Sequence, residues 1–430
     1  MRNIAYKRLL KLIQMYIFFT LGLFIFGPIV WINDNNYLLI FFIVLYVVFL
    51  SMGYKKGMKR FLKKSTLPMF QTENIIKIIK IIIILSIIYS FLFIFRYGKT
   101  FSISEIINNT LQNILNPASQ YAKTHQGAME GADLMGGGLL SMIVTFSGIL
   151  TIPAIVLPVV YFKELTRFYK FLACFGIVLQ VAGKTIIGTN EGIFDIGIIF
   201  IAGIMIVNAR NLNKNRRKKR INFKLFFMIG IIIALLLSFF TNNINQRTGA
   251  TFAFPTIGNN YYNSEATILK FIPKNLKATL AYLTVYLCEG YYGMALALKL
   301  WWVPTFGTGF SSFIRNNLQE AFGINLIQYS YQGRAEIFGW GANRNWHTAY
   351  TWFANDVSFL GVPIIMFLIG WLLIRTYRDS VENKNPFSCV LFGILLIQIL
   401  FLSANNKIFA SATTFVPFWL SLILWKLTKR

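Results

Sequence analysis

Acidic residues are scarce in this chain: 15 Asp and Glu stand among 430 residues, against 42 Lys and Arg. Histidine is scarcer, with His125 and His347 alone. The two lie far apart in the sequence, and no Cys or Asp stands near them at ligand spacing, so no metal centre is expected. Three cysteines, Cys174, Cys288 and Cys389, are too scattered for a disulfide framework. No Walker-type glycine loop is present to cradle a nucleotide phosphate, and no cofactor is expected. Charged residues make up only 13% of the chain, where soluble domains carry about 25%. Strand-like alternation of apolar and polar residues is also missing, which excludes a membrane barrel.

Long apolar runs fill the space those absences leave. IIIILSIIYSFLFIF (81–95) and FFMIGIIIALLLSFF (226–240) reach bilayer length with their flanks. The run from Leu12 to Trp31 is too long for a signal-peptide core and lacks a small-residue cleavage site, so it reads as a first span. The expected fold is all-α: a polytopic integral membrane protein of about ten transmembrane helices. Hydropathy places them near 12–32, 37–52, 75–95, 136–162, 168–187, 192–208, 223–240, 353–374, 387–404 and 408–425. Residues 1–240 would hold helices one to seven and residues 353–430 helices eight to ten. The segment 241–352 would form one large extracytoplasmic loop.

The net charge of +27 follows the same map. With both termini cytoplasmic, the inner segments hold 29 basic and four acidic residues. The outer ones hold 13 basic and 11 acidic. This is a positive-inside signature. Runs such as KKGMKRFLKK (55–64) and NKNRRKKR (213–220) face lipid headgroups on that map, and no nucleic-acid partner is expected.

The long loop contains ATLAYLTVYLCEGYYGMALALKLWW (278–302). It is apolar enough to enter the bilayer but carries Glu289 and a Gly290–Gly293 break. Nothing between it and residue 353 returns across the membrane. An interfacial or re-entrant helix pair is expected there, packed on the bundle, with its tyrosines and tryptophans at the interface.

Four blocks then follow in order: YLCEGYYGMALALKL (286–300), PTFGTGFSSF (304–313), YQGRAEIFGW (331–340) and NWHTAYTWFANDVSFLGVPIIMFLIG (345–370). Together they resemble the Wzy-type oligosaccharide repeat-unit polymerases that build O-antigen and capsule in bacteria. Those proteins have many spans, a large outer loop in the second half, and a D-x-x-F-x-G run leading into the next helix. The resemblance implies a bacterial cytoplasmic (inner) membrane enzyme. It would be a metal-independent glycosyltransferase that moves a glycan from a polyprenyl diphosphate to a sugar hydroxyl of the next lipid-linked unit. It also implies a chain-length regulator as a partner. A ligase with a different acceptor and a lipid-linked oligosaccharide flippase are the alternatives. A transporter would show paired inverted repeats, which are not visible here.

Such a transfer needs cations for the departing diphosphate and a base for the acceptor hydroxyl. Arginine suits the first need, because its planar fork binds phosphate oxygens and stays charged. Arg334 and Arg344 flank the family-like block, and Arg247 and Arg315 are further candidates. For the base, Glu289, Glu336, His347 and Asp356 are candidates. On a strand Glu336 would share a face with Arg334. A histidine titrates near neutrality. Asp356 falls one turn into a span, where a carboxylate needs a reason or serves as a helix N-terminal charge. Lys184 precedes GTNEGIFD (188–195), where Glu191 and Asp195 share a helix face. It is expected either to lock two spans by an ion pair with Asp195 or to touch the lipid diphosphate.

Overall fold

The computed structural model describes residues 2–59, 72–98, 102–115, 137–187, 190–214, 259–342 and 344–428, with a few positions between, at 100, 227, 230–231, 237–238 and 240–242. Nearly all regular structure among them is helical. Thirteen helices are labelled here. They are α1 Arg2–Phe26, α2 Asn36–Lys59, α3 Thr72–Gly98, α4 Ile103–Leu115, α5 Gly137–Ser147, α6 Thr151–Val160 and α7 Arg167–Ile187. After them come α8 Asn190–Lys214, α9 Lys277–Ala297, α10 Ser312–Phe322, α11 Ala349–Glu382, α12 Pro386–Leu400 and α13 Ala412–Leu427.

Among the described residues, seven stretches are long and apolar enough to cross a membrane: Ala5–Phe26, Asn36–Lys59, Glu73–Gly98, Met142–Val160, Arg167–Ile187, Glu191–Leu212 and Ala349–Glu382. The fold class is that of a polytopic helical membrane protein. The helices α12 and α13 are apolar but shorter, and they stand where the ninth and tenth spans are expected. The expected span 223–240 lies mostly outside the described residues.

The helix ends differ from the hydropathic ones for local reasons. α1 begins ten residues before the apolar run, because Lys and Arg are good helix formers, and it stops at Gly27–Pro28. α11 continues to Glu382 but is interrupted at Ser358, whose backbone is non-helical (φ 59°, ψ 166°).

The chain divides into two compact units. One comprises Met1–Leu62, Phe252–Arg378 and Leu395–Ser411; the other comprises Lys63–Thr251, Asp379–Ile394 and Ala412–Arg430.

In the first unit α2 and α11 meet backbone to backbone through glycine. A Cβ added at Gly53 would fall 1.9 Å from the Phe367 carbonyl oxygen, and one at Gly370 would fall 2.1 Å from that of Leu50. Small residues permit this approach where no hydrophobic drive separates lipid from helix. The Arg378 guanidinium closes the same face by donating to the Met58 carbonyl at 2.7 Å. A two-residue antiparallel bridge, Ile29–Val30 with Tyr261–Tyr262, ties the α1–α2 connection to the long segment.

α9 packs on the later turns of α1. The Cys288 thiol donates to the Thr20 carbonyl at 3.3 Å, and the Thr20 and Tyr291 hydroxyls lie 3.0 Å apart. α9 is a single unbroken helix, not the helix pair that its glycines suggest. Gly290 and Gly293 are contact positions: a Cβ at the first would meet the Ser403 carbonyl oxygen at 2.2 Å, and one at the second the Trp340 indole nitrogen at 2.6 Å. α9 is not among the seven spanning stretches.

In the second unit Gly183 of α7 packs against Phe93 of α3, and Gly203 of α8 against Val159 of α6. The Trp425 indole donates to the Asp379 carboxylate at 2.6 Å, fixing α13 to the end of α11.

Candidate functional site

The polar side chains of the first unit converge where five pieces of chain meet: α9, the 301–311 loop, the start of α10, residues 331–348 and the first turns of α11. A sixth piece, 401–411, lies against them. It exchanges hydrogen bonds with the residues that lead into α10: the Ser311 hydroxyl donates to the Phe409 carbonyl at 2.9 Å, and the Asn406 side chain donates to the Phe310 carbonyl at 2.7 Å.

Asn355 and Asp356 organise the loops. Asn355 accepts the Tyr331 amide at 2.7 Å and donates to the Gly309 carbonyl and the Gln332 side chain, both at 2.9 Å. The carbonyl of Asn355 takes the Trp302 indole N–H at 2.9 Å. It is available because the break at Ser358 leaves carbonyls of the preceding turn without helical partners. Asp356 accepts from the Thr305 hydroxyl, the Gly307 amide and the Phe310 amide at 2.7, 2.7 and 2.9 Å. Its carboxylate is thus engaged in shaping the 305–310 loop and does not serve a helix start.

Arg315 projects from α10 into the buried side, 4% exposed. Its guanidinium lies 5.2 Å over the Trp352 ring. Its polar contacts are two long ones, 3.4 Å each, to the amide oxygen of Asn316, and Nη1 has no partner among the described residues. Burial lowers its pKa from the ordinary value. His347 is buried beside it with both ring nitrogens unpartnered among the described residues. Burial, with the Arg315 charge next, drives the imidazole pKa down from 6.5 to about 3, so it is neutral at pH 7. The Trp352 indole N–H and the Tyr350 hydroxyl are also buried without partners among those residues. Among the described residues no ion pair satisfies the Arg315 guanidinium, and these buried polar groups are left without partners.

Glu289 lies one turn before Gly293 on α9. Its Oε1 accepts the Trp346 amide and the Asn345 amide side chain, both at 3.2 Å. Oε2 has no hydrogen-bond partner among the described residues. Burial raises this carboxyl from 4.5 to about 7, and the two hydrogen bonds only partly oppose it. Lys299, ten residues further along the chain, is paired with Asp34 at 3.4 Å and not with Glu289.

Arg334 is half-buried. It donates to the Trp301 carbonyl at 2.8 Å and lies 5.0 Å from the Tyr331 ring, with Nε and Nη2 unpartnered among the described residues. Glu336 makes no ion pair with it. Arg334 ends a short helical turn, and Glu336 stands exposed in the 3₁₀ turn that follows. Arg344 is exposed as well. Arg247 lies outside the described residues.

Lys184 belongs to the second unit, with its ammonium 5.1 Å over the Phe93 ring and its stem packed against Gly192. Sequence reasoning missed Ser403, Asn406 and Lys407, all buried in the 401–411 piece. A polar SANNK pentad between two apolar runs was the available signal.

No protein-family model matches this chain, and no curated protein or solved structure does.

Proposed function

We propose that the protein is a glycan polymerase of the bacterial cytoplasmic membrane, acting on polyprenyl-diphosphate-linked oligosaccharides. On this reading it has about ten spans, with both termini cytoplasmic and the 241–352 segment outside. The observation that carries the reading is Arg315: a buried cation with no carboxylate partner among the described residues, beside a neutral histidine and donors unpartnered there as well. A site built that way is a receptor for an anion from elsewhere, and phosphate oxygens match the guanidinium fork. The order of the sequence blocks at 286–370 supplies the choice of substrate.

The donor diphosphate would lie between Arg315 and Arg334, each of which keeps free N–H groups. Glu289 is the base that fits best, because its pKa lies near neutrality. The acceptor hydroxyl oxygen attacks the anomeric carbon as its proton passes to Glu289. The carbon–oxygen bond to the diphosphate breaks, and the diphosphate leaves with the electron pair, stabilised by the two arginines. The sugar rings would rest on exposed aromatics such as Trp301 and Phe306.

The test is elongation by purified protein given a lipid-linked repeat unit. A ladder of products is expected, lost in Arg315→Lys and in Arg334→Lys, since lysine supplies charge without the fork. Transport of the unit across liposomes with no ladder would sink the reading in favour of a flippase. A single chain transferred once to a different acceptor would favour a ligase.

A further inference from the structure

A cavity in the second unit, of about 510 Å³, lies among the ends of α6, α7 and α8 and the turn before α12. Its walls are mostly apolar, including Val159, Ile177, Phe200 and Ile204. Its charged lining is Lys163, Arg210 and Lys384 against one acid, Glu164.

The cationic end is built by tertiary contacts. Arg210 donates through Nε and Nη2 to the Ser380 carbonyl at 2.9 and 2.7 Å, with its guanidinium 5.0 Å over the Tyr161 ring. The Tyr161 hydroxyl donates to the Lys384 carbonyl, and Lys384 sits in the left-handed region (φ 54°) that side chains seldom adopt. The Tyr161 contact fixes the Lys384 backbone beside the cavity, whose lining also includes Lys163. Neither lysine ammonium has an ion pair or hydrogen bond among the described residues.

We infer that this cavity binds an anionic glycerophospholipid of the cytoplasmic leaflet, its phosphate between Lys163, Arg210 and Lys384 and an acyl chain along the apolar walls. The cavity falls within the range of small-ligand sites. In the proposed topology the ends of α6, α7 and α8 that carry these cations are the cytoplasmic ends, where anionic headgroups are concentrated. Basic pockets between spans on that side suit such headgroups. A zwitterionic lipid would leave its choline or ethanolamine among cations. The site does not depend on the polymerase reading, and loss of one leaves the other standing.

Native mass spectrometry of the full chain in mild detergent tests it, with equimolar phosphatidylglycerol and phosphatidylcholine added. Wild type should retain phosphatidylglycerol in preference. The Lys163→Ala/Lys384→Ala double variant should lose the preference, by roughly fivefold per lysine from the worth of one cation at an anionic surface. Both lysines are exposed, so folding should survive. A Lys270→Ala/Lys274→Ala variant carries the same charge change elsewhere and should retain the preference. Equal retention of both lipids by wild type, an unchanged preference in the first variant, or equal loss in the second would overturn the site.

Discussion

The Asp356 carboxylate accepts the backbone amide of Gly307 at 2.7 Å, and that contact turns a charged residue inside an apolar helix into the anchor of a loop. Two more donors, Thr305 and Phe310, complete its shell. Hydrogen bonds to a charged group contribute about 1.5–3 kcal/mol each, less when neighbours share the load. Asp356→Ala should therefore destabilise the first unit by about 3 kcal/mol, with Asp356→Asn losing roughly half as much. Thermal unfolding in detergent measures both. A fully stable but inactive Asp356→Ala would instead mark Asp356 as a chemical participant.

The Glu289 carboxyl has a sign that can be checked. Its pKa is raised by burial from 4.5 to about 7, so between those values the folded protein binds a proton that the unfolded chain does not. Stability from this group therefore falls as pH rises through that window, and the cost of about 3 kcal/mol is fully present above pH 7. Glu289→Gln should be nearly neutral at pH 4.5 and stabilising at pH 8. If the residue is also the base, elongation by wild type should rise with pH through 7, and the variant should lose it. A stability difference that does not change with pH would remove the assignment.

The spans were legible because they rest on length and composition, which sequence carries directly. α2, α3, α7 and α8 lie where the hydropathy puts them. The site was legible in part. Arg315 and His347 are recognisable as chemistry-bearing residues, but their juxtaposition depends on α10 docking on 406–410, which no local pattern records. Gly290 and Gly293 show the limit most clearly. As sequence they read as a helix break, and only the carbonyl of Ser403 and the indole of Trp340 reveal them as contact positions. The role of Asp356 was hidden for the same reason: its three donors are about fifty positions away.

Those glycine contacts predict opposite outcomes for one kind of substitution. Gly290→Ala would place its methyl group 2.2 Å from the Ser403 carbonyl oxygen, a backbone atom that cannot rotate aside. Overpacking of this kind costs about 1–3 kcal/mol. Gly22 in α1 has no atom within 4 Å of an added Cβ, so Gly22→Ala should gain up to about 1 kcal/mol from helix propensity. Melting temperatures of the two variants in the same detergent should move in opposite directions from wild type. Shifts of equal sign would show that the α9 contact with 403 is loose.

Ser358 concentrates strain at the point where α11 divides. Its φ of 59° with ψ of 166° lies in a region occupied almost only by glycine and costs about 1–3 kcal/mol for other residues. The interruption separates the segment that carries Trp352, Asn355 and Asp356 from the long lipid-crossing part. It also frees the Asn355 carbonyl for the Trp302 indole. Ser358→Gly removes the side-chain penalty while keeping the bend, so it should raise stability by about 1 kcal/mol with the loop contacts intact. Ser358→Val adds branching at the same backbone angles and should destabilise by at least as much. Thermal unfolding gives the energies, and quenching of tryptophan fluorescence reports whether the Trp302 contact survives. A stabilising valine would mean that α11 runs straight through this position and that the loops are held by side chains alone.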